Sequence, residues 1–164
     1  MTVMDKTLAP LFLSHGSPMT ALEPREAGAF MQQLGQVITA RHGKPRAILA
    51  VSAHSLTREP VLLAAPRHEA IYDFGGFDPA LYDLRYPAPG HPALAARAAG
   101  LLRSHGWAAS VNPDQGLDHG AWVPLMHLFP EANVSVVQVA LPVRWGPSEV
   151  LAMGRALSGL RERG

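Results

Sequence analysis

The sequence predicts an α/β domain with a mainly parallel central sheet flanked by helices, and three observations carry that prediction. Apolar runs at residues 8–14, 48–53 and 134–141 have strand length and no helical period. Between them lie stretches with apolar residues three and four apart, the stripe of an amphipathic helix. Turn-forming clusters separate the two kinds of segment, and strands alternating with helices over short connections favour parallel pairing.

Taken in order, the run Leu8-Ala9-Pro10-Leu11-Phe12-Leu13-Ser14 reads as a strand buried on both faces. It breaks at the turn cluster His15-Gly16-Ser17-Pro18, which puts His15 at the strand's carboxyl end. Over residues 25–41, Phe30, Met31, Leu34, Val37 and Ile38 form a helical stripe that Gly43 and Pro45 end. Ile48-Leu49-Ala50-Val51-Ser52-Ala53 repeats the buried-strand pattern and places His54 just past its end. Residues 61–65 have the composition of a third short strand. Residues 71–92, punctuated by glycine and proline and carrying Tyr72, Phe74, Phe77, Tyr82 and Tyr86, read as an ordered loop. Leu94, Ala98, Leu101 and Leu102 predict a helix over 92–105, stopped by Gly106, with a strand over 107–111 behind it. Asn112-Pro113-Asp114-Gln115-Gly116 is turn chemistry, 117–120 continues as loop, and 121–129 is a short apolar helix before the strand at 134–141. Pro147 opens a final helix with Val150, Met153, Leu157 and Leu160 on one face.

Composition narrows the function classes. The chain has 164 residues, 48% hydrophobic and 16% charged, which suits one domain with its own core. A formal net charge of +1 supplies no field to draw the chain toward nucleic acid or an anionic membrane. With no cysteine there is neither a disulfide nor a thiolate metal site, so a metal would be held by imidazole and carboxylate, a donor set suited to iron, zinc or manganese. The amino-terminal apolar run is too short to span a membrane, and a cytoplasmic location is expected. A serine hydrolase is disfavoured because no Gly-x-Ser-x-Gly elbow is present.

In an open α/β sheet the functional crevice lies outside the carboxyl ends of the strands, and His15 and His54 both fall there. Strands about 4.8 Å apart let two such imidazoles reach one ion. Each histidine alone has a plainer explanation, a turn hydrogen bond for His15 or a helix cap for His54. The surrounding words are more specific. Leu11-Phe12-Leu13-Ser14-His15-Gly16-Ser17-Pro18, Val51-Ser52-Ala53-His54, Tyr72-Asp73-Phe74-Gly75-Gly76-Phe77, Leu81-Tyr82 with Tyr86-Pro87-Ala88-Pro89-Gly90, and Leu117-Asp118-His119-Gly120-Ala121-Trp122 stand in this order along nearly the whole chain. In order and spacing they resemble the class III extradiol ring-cleavage dioxygenases of the DOPA-dioxygenase-like family.

The resemblance implies a non-haem Fe(II) enzyme, with Zn(II) as another ion the site can hold, that opens a catechol ring with O2. His15 and His54 match its metal ligands and His119 an active-site histidine, here the candidate for proton transfer. Phe74 and Phe77 are candidates to pack on an aromatic substrate, and Ser17 to bond a catechol oxygen; core packing and turn stabilisation account for the same residues equally well. His42, His68, His91, His105 and His127 match no motif position.

Two departures from the family pattern stand out. Family members carry tryptophan after the second histidine, where this chain has Ser55, a change expected to enlarge or wet the pocket rim. They also continue into a further strand, a Gly-Ser turn with another histidine ligand, and more helices. Residues 1–164 are therefore expected to form a single, partial catalytic domain lacking the family's C-terminal elements. It is expected to associate with itself or with a partner chain. A class II tetrapyrrole chelatase, which shares the His-Gly-Ser turn, is the alternative enzyme, and a non-catalytic metal-binding or interaction remnant is the alternative outside enzymes.

Overall fold

The structure, a computed structural model, describes residues 7–163. Its sheet contains β1 (Ala47–Thr57), β2 (Val61–Leu63), β3 (Ser110–Asn112) and β4 (Ser135–Pro142) in the order β1-β4-β2-β3. The β1–β4 and β2–β3 pairs are parallel, and β2 joins β4 antiparallel. Helices α1 (Arg25–His42), α2 (Pro92–Ser104), α3 (His119–Leu128) and α4 (Pro147–Leu157) surround it, with 3-10 turns at Pro18–Ala21, Pro79–Asp83 and Ser158–Arg163. The expected α/β class and mainly parallel sheet are both present.

Two cores follow from the alternation of side chains along β4. Val136 packs with Met31, Leu117, Trp122, Leu125 and Leu128 beneath α1 and α3. Val137 and Val139 pack with Leu62, Ala98, Leu102, Met153 and Leu157 beneath α2 and α4. A central strand covered on both faces has to be apolar along its buried length, and β4 is from Val136 to Leu141, apart from Gln138. Helix α1 lies on α3 backbone to backbone: a Cβ built on Gly35 would sit 1.9 Å from the carbonyl oxygen of Leu128.

Several expectations shift. The run at 8–14 forms no strand among the described residues; Leu11 is half exposed and Phe12 fully exposed. An apolar run has the composition of a strand, but it becomes one only with a ladder partner, and Pro10 removes one of its donors. His15 thus follows a segment with no ladder partner among the described residues rather than a strand end. The strand expected at 107–111 shrinks to Ser110–Asn112, because the chain from His105 to Ala109 spends its amides on turn bonds to Arg103, Leu102 and Trp107. The loop at 71–92 includes the turn Pro79–Asp83, capped by Asp78 through a 2.8 Å bond to the Ala80 amide.

Strand β1 is one of the two outer strands and its second edge is unpaired among the described residues, with Val51 and Leu56 more than half exposed. An apolar strand edge of this kind invites pairing. The expected outcome in sedimentation velocity is a coefficient that rises with concentration as copies associate, and Val51→Lys combined with Leu56→Lys should shift the protein toward monomer. A wild-type coefficient independent of concentration would count against pairing at this edge.

His68 supplies a pH dependence. It is buried, donates from Nε2 to the Val136 carbonyl at 2.7 Å, and leaves Nδ1 buried with no partner. Burial holds its pKa below the ordinary 6.5 in spite of that bond. The folded ring therefore stays neutral to a lower pH than the unfolded one, which takes up a proton below about pH 6.5. This group leaves stability unchanged above that pH and lowers it as the pH falls, by up to about 1.4 kcal/mol per unit, until the folded ring also protonates. Urea midpoints measured from pH 7.5 to 5 should fall more steeply for wild type than for His68→Gln.

Candidate metal centre

Three segments far apart in sequence bring His15, His54 and His119 together, with one ligand atom from each lying within 4.8 Å of the other two. The ring centroids are 4.1 Å apart for His54 and His119, 4.9 Å for His15 and His54, and 5.0 Å for His15 and His119. Open grooves beside His105 and Arg155, and along the 65–71 and 112–116 loops, lie elsewhere. The centre is thus defined by converging side chains rather than by either groove.

Local structure explains each placement. His15 precedes the 3-10 turn Pro18–Ala21, which Ser17 caps through a 3.2 Å bond from the Met19 amide. His54 stands in an irregularity of β1. Ser52 pairs with Ala140 and the next pair is Leu56 with Leu141, so residues 53–55 are surplus on β1 and bulge out of the ladder. His119 is the first residue of α3, directly after the N-cap Asp118, whose Oδ1 accepts from the Ala121 amide at 3.2 Å. Helix and bulge meet so closely that a Cβ on Gly120 would lie 2.4 Å from Ser52 Oγ and 2.8 Å from His54 Cδ2.

Asp73 fixes the His119 ring. Its Oδ1 accepts from the His119 backbone amide at 3.0 Å and from Nδ1 at 2.9 Å. A carboxylate accepts and does not donate, so Nδ1 carries a proton, and in the neutral ring Nε2 is the nitrogen with the lone pair. The loop bearing Asp73 is pinned by the Ile71 amide on the Leu117 carbonyl, 2.8 Å, and by the Trp122 indole on the Ile71 carbonyl, 3.0 Å. Phe74 stands edge-on to the His119 ring at 5.6 Å, and Phe77 packs on Phe74 one ring further out, at 5.9 Å. Among the sequence candidates, Phe74 therefore adjoins the centre, Phe77 lies behind it, and Ser17 is engaged in capping.

The donor set fits a divalent ion. His15 Nε2 and His54 Nε2 are 3.0 Å apart. Two nitrogens each about 2.1 Å from one ion at a right angle would be separated by about that distance. Burial, and after it the imidazoles of His119 and His54, hold His15 below the ordinary value of 6.5, against an opposing pull from Asp118 and Asp73. A ring held neutral keeps a lone pair available for a metal.

Beneath the centre lies a buried polar network that sequence reasoning missed. Asp118, 2% exposed, accepts at Oδ1 from Ser52 at 2.8 Å, and at Oδ2 from Ser55 at 2.5 Å and Gln138 Nε2 at 2.6 Å. Gln138 Oε1 accepts from the Asp118 amide at 3.3 Å. The expectation that Ser55 opens or wets a pocket rim is overturned: Ser55 is buried, turned inward onto this carboxylate. Two signals were readable. Gln138 interrupts the apolar run Val136–Leu141, and Asp118 stands where an N-cap belongs if α3 begins at His119.

Comparison with known proteins agrees with this geometry. Residues 10–163 match the family model described as the catalytic LigB subunit of aromatic ring-opening dioxygenase. The 4,5-DOPA dioxygenase extradiol of Beta vulgaris is 39% identical over 163 residues, covering 98% of this chain and 60% of its own length. The protein of that name from Escherichia coli K12 is 41% identical over 170 residues, covering 99% of this chain and 58% of its own. The crystal structure of an uncharacterized Escherichia coli K12 protein superposes with a TM-score of 0.64 at 33% identity, over 84% of this chain and 49% of that one. The chain thus spans 60% and 58% of the two named relatives. With a family match over almost its whole length and three histidines gathered at one point, the chain belongs to the LigB family of aromatic ring-opening dioxygenases.

Proposed function

We propose that this chain carries the metal-binding and proton-transfer half of an extradiol dioxygenase that opens a catecholic ring with O2, using Fe(II) held by His15 and His54. The observation that carries the reading is the placement of three histidines from separate segments within 4.8 Å, one of them oriented by a carboxylate. When bound, ferrous iron supplies a redox path between a chelated catechol and dioxygen, chemistry that no side chain here can perform unaided.

The chain's own residues account for the remaining tasks. His15 and His54 offer imidazole nitrogens to the ion. His119, with Nδ1–H committed to Asp73, has Nε2 free to take a proton from a catechol hydroxyl and to return one later. Asp73 stabilises the imidazolium formed in between, as a carboxylate behind a catalytic histidine does. The edge of Phe74 against His119 lines the approach with an apolar wall suited to an aromatic ring. The relatives' names specify 4,5-DOPA, and a catechol bearing a charged side chain is a substrate class to test first.

Two measurements separate the roles. His15→Ala and His54→Ala should each abolish stoichiometric uptake of Fe(II) or Zn(II) under anaerobic loading; retention of wild-type metal content by both would overturn the ligand assignment. His119→Gln should keep its metal while the yellow semialdehyde product appears roughly 100-fold to 10,000-fold more slowly, the range for loss of a general acid–base group. If His119→Gln loses metal as completely as the other two, His119 is a third ligand rather than the proton carrier.

A further inference from the structure

We infer that Asp118 is a positioning residue: its single buried carboxylate clamps both feet of the β1 bulge and the first turn of α3, and so sets where His54 and His119 stand. The inference rests on the proposed metal centre for its purpose, but its geometry stands independently.

A surplus of three residues in a strand has many ways to arrange itself, since the extra amides and carbonyls leave the ladder and nothing in β4 dictates their path. Here the two residues flanking the apex, Ser52 and Ser55, turn inward and each donates to a different oxygen of the same carboxylate, at 2.8 and 2.5 Å. Ser52 Oγ in turn accepts from the His54 amide at 3.2 Å. The imidazole between the two serines is left on the outer side, facing His15 and His119. The same Oδ1 that holds Ser52 also accepts from the Ala121 amide and so fixes the start of α3, where His119 is the first residue. Gln138 closes the arrangement from β4, donating to Oδ2 and accepting from the Asp118 amide, which anchors the clamp to the most buried strand of the sheet.

Hydrogen bonds to a carboxylate are short and directional, and a water-free surrounding strengthens them. Groups that orient metal ligands from behind change metal affinity by about tenfold to a hundredfold when removed. The proposal is tested on the intact 164-residue chain with two variants. Asp118→Asn keeps the size and one acceptor for the α3 amide, because asparagine caps as well as aspartate, but it cannot accept at both feet. Ser52→Ala with Ser55→Ala removes both feet and leaves the charge in place. Leu157→Ala, which trims the opposite core, serves as a control for loss of stability alone.

The first readout needs no metal: nuclear Overhauser contacts between the His54 and His119 rings, whose centroids are 4.1 Å apart. They should be strong in wild type and Leu157→Ala and lost in both clamp variants, at temperatures where each remains folded by circular dichroism. The second is the affinity for Co(II), followed by its visible absorption, which should fall on the order of tenfold or more in the clamp variants and stay within twofold for Leu157→Ala. Ring contacts and affinity that survive in both clamp variants overturn the inference while leaving the metal centre standing. An affinity lost in Asp118→Asn but kept in the double serine variant also overturns it, since the effect is then one of charge. Loss of ring contacts in the clamp variants of a chain that binds no Co(II) upholds the positioning role and sinks the proposed metal centre instead.

Discussion

A carboxylate sealed from water is tolerated only when donors occupy its oxygens, because an ionised group stripped of solvent is among the most expensive things a fold can bury. Asp118 meets that condition with two serine hydroxyls, a carboxamide and a backbone amide. Those donors come from β1, β4 and α3, so satisfying the charge also fixes the mutual placement of three elements. The cost of leaving it partly satisfied falls on the whole region. This is why the irregular stretch of β1, which has no ladder to define it, can still hold a histidine in a set place.

Much of the fold was readable in the sequence, and what was not has physical causes. Helices α1, α2 and α4 and strand β4 are found within a few residues of where periodicity and run length put them, since each buries a continuous face that its own sequence must encode. The run at 8–14 misleads because composition reports a tendency to pair, whereas a strand is a property of two segments. The boundary of α3 was read two residues late: His119 and Gly120 are poor helix formers, and their place in the first turn is determined by the Asp118 cap instead.

The candidate centre divides along the same line. His15, His54 and His119 are visible as words in the sequence, and the structure brings all three together. Their supports are less visible. Asp73 lies inside a motif whose phenylalanines attract attention first, and its partner is 46 residues away. Ser52, Ser55 and Gln138 look like ordinary strand polar residues until the bulge turns the two serines to the same side. Strand period alone predicts that residues 52 and 55, an odd number apart, point to opposite faces; the surplus residues of the bulge break that parity.

The two carboxylates near the histidines therefore perform different work, and their surroundings decide which. Asp73 is partly exposed, contacts His119 directly and spends one oxygen on both its amide and its ring nitrogen, so it can respond to the charge on that ring. Asp118 is sealed beneath the centre, and the bonds it accepts come from the scaffold that carries the imidazoles. A group that must answer a proton arriving on a neighbour benefits from contact and some solvent, whereas a group that must hold geometry benefits from burial and many fixed donors. Asp73 thus holds His119 through its ring and its backbone amide, while Asp118 holds the helix turn from which that ring projects, so the position of the imidazole is set from two directions.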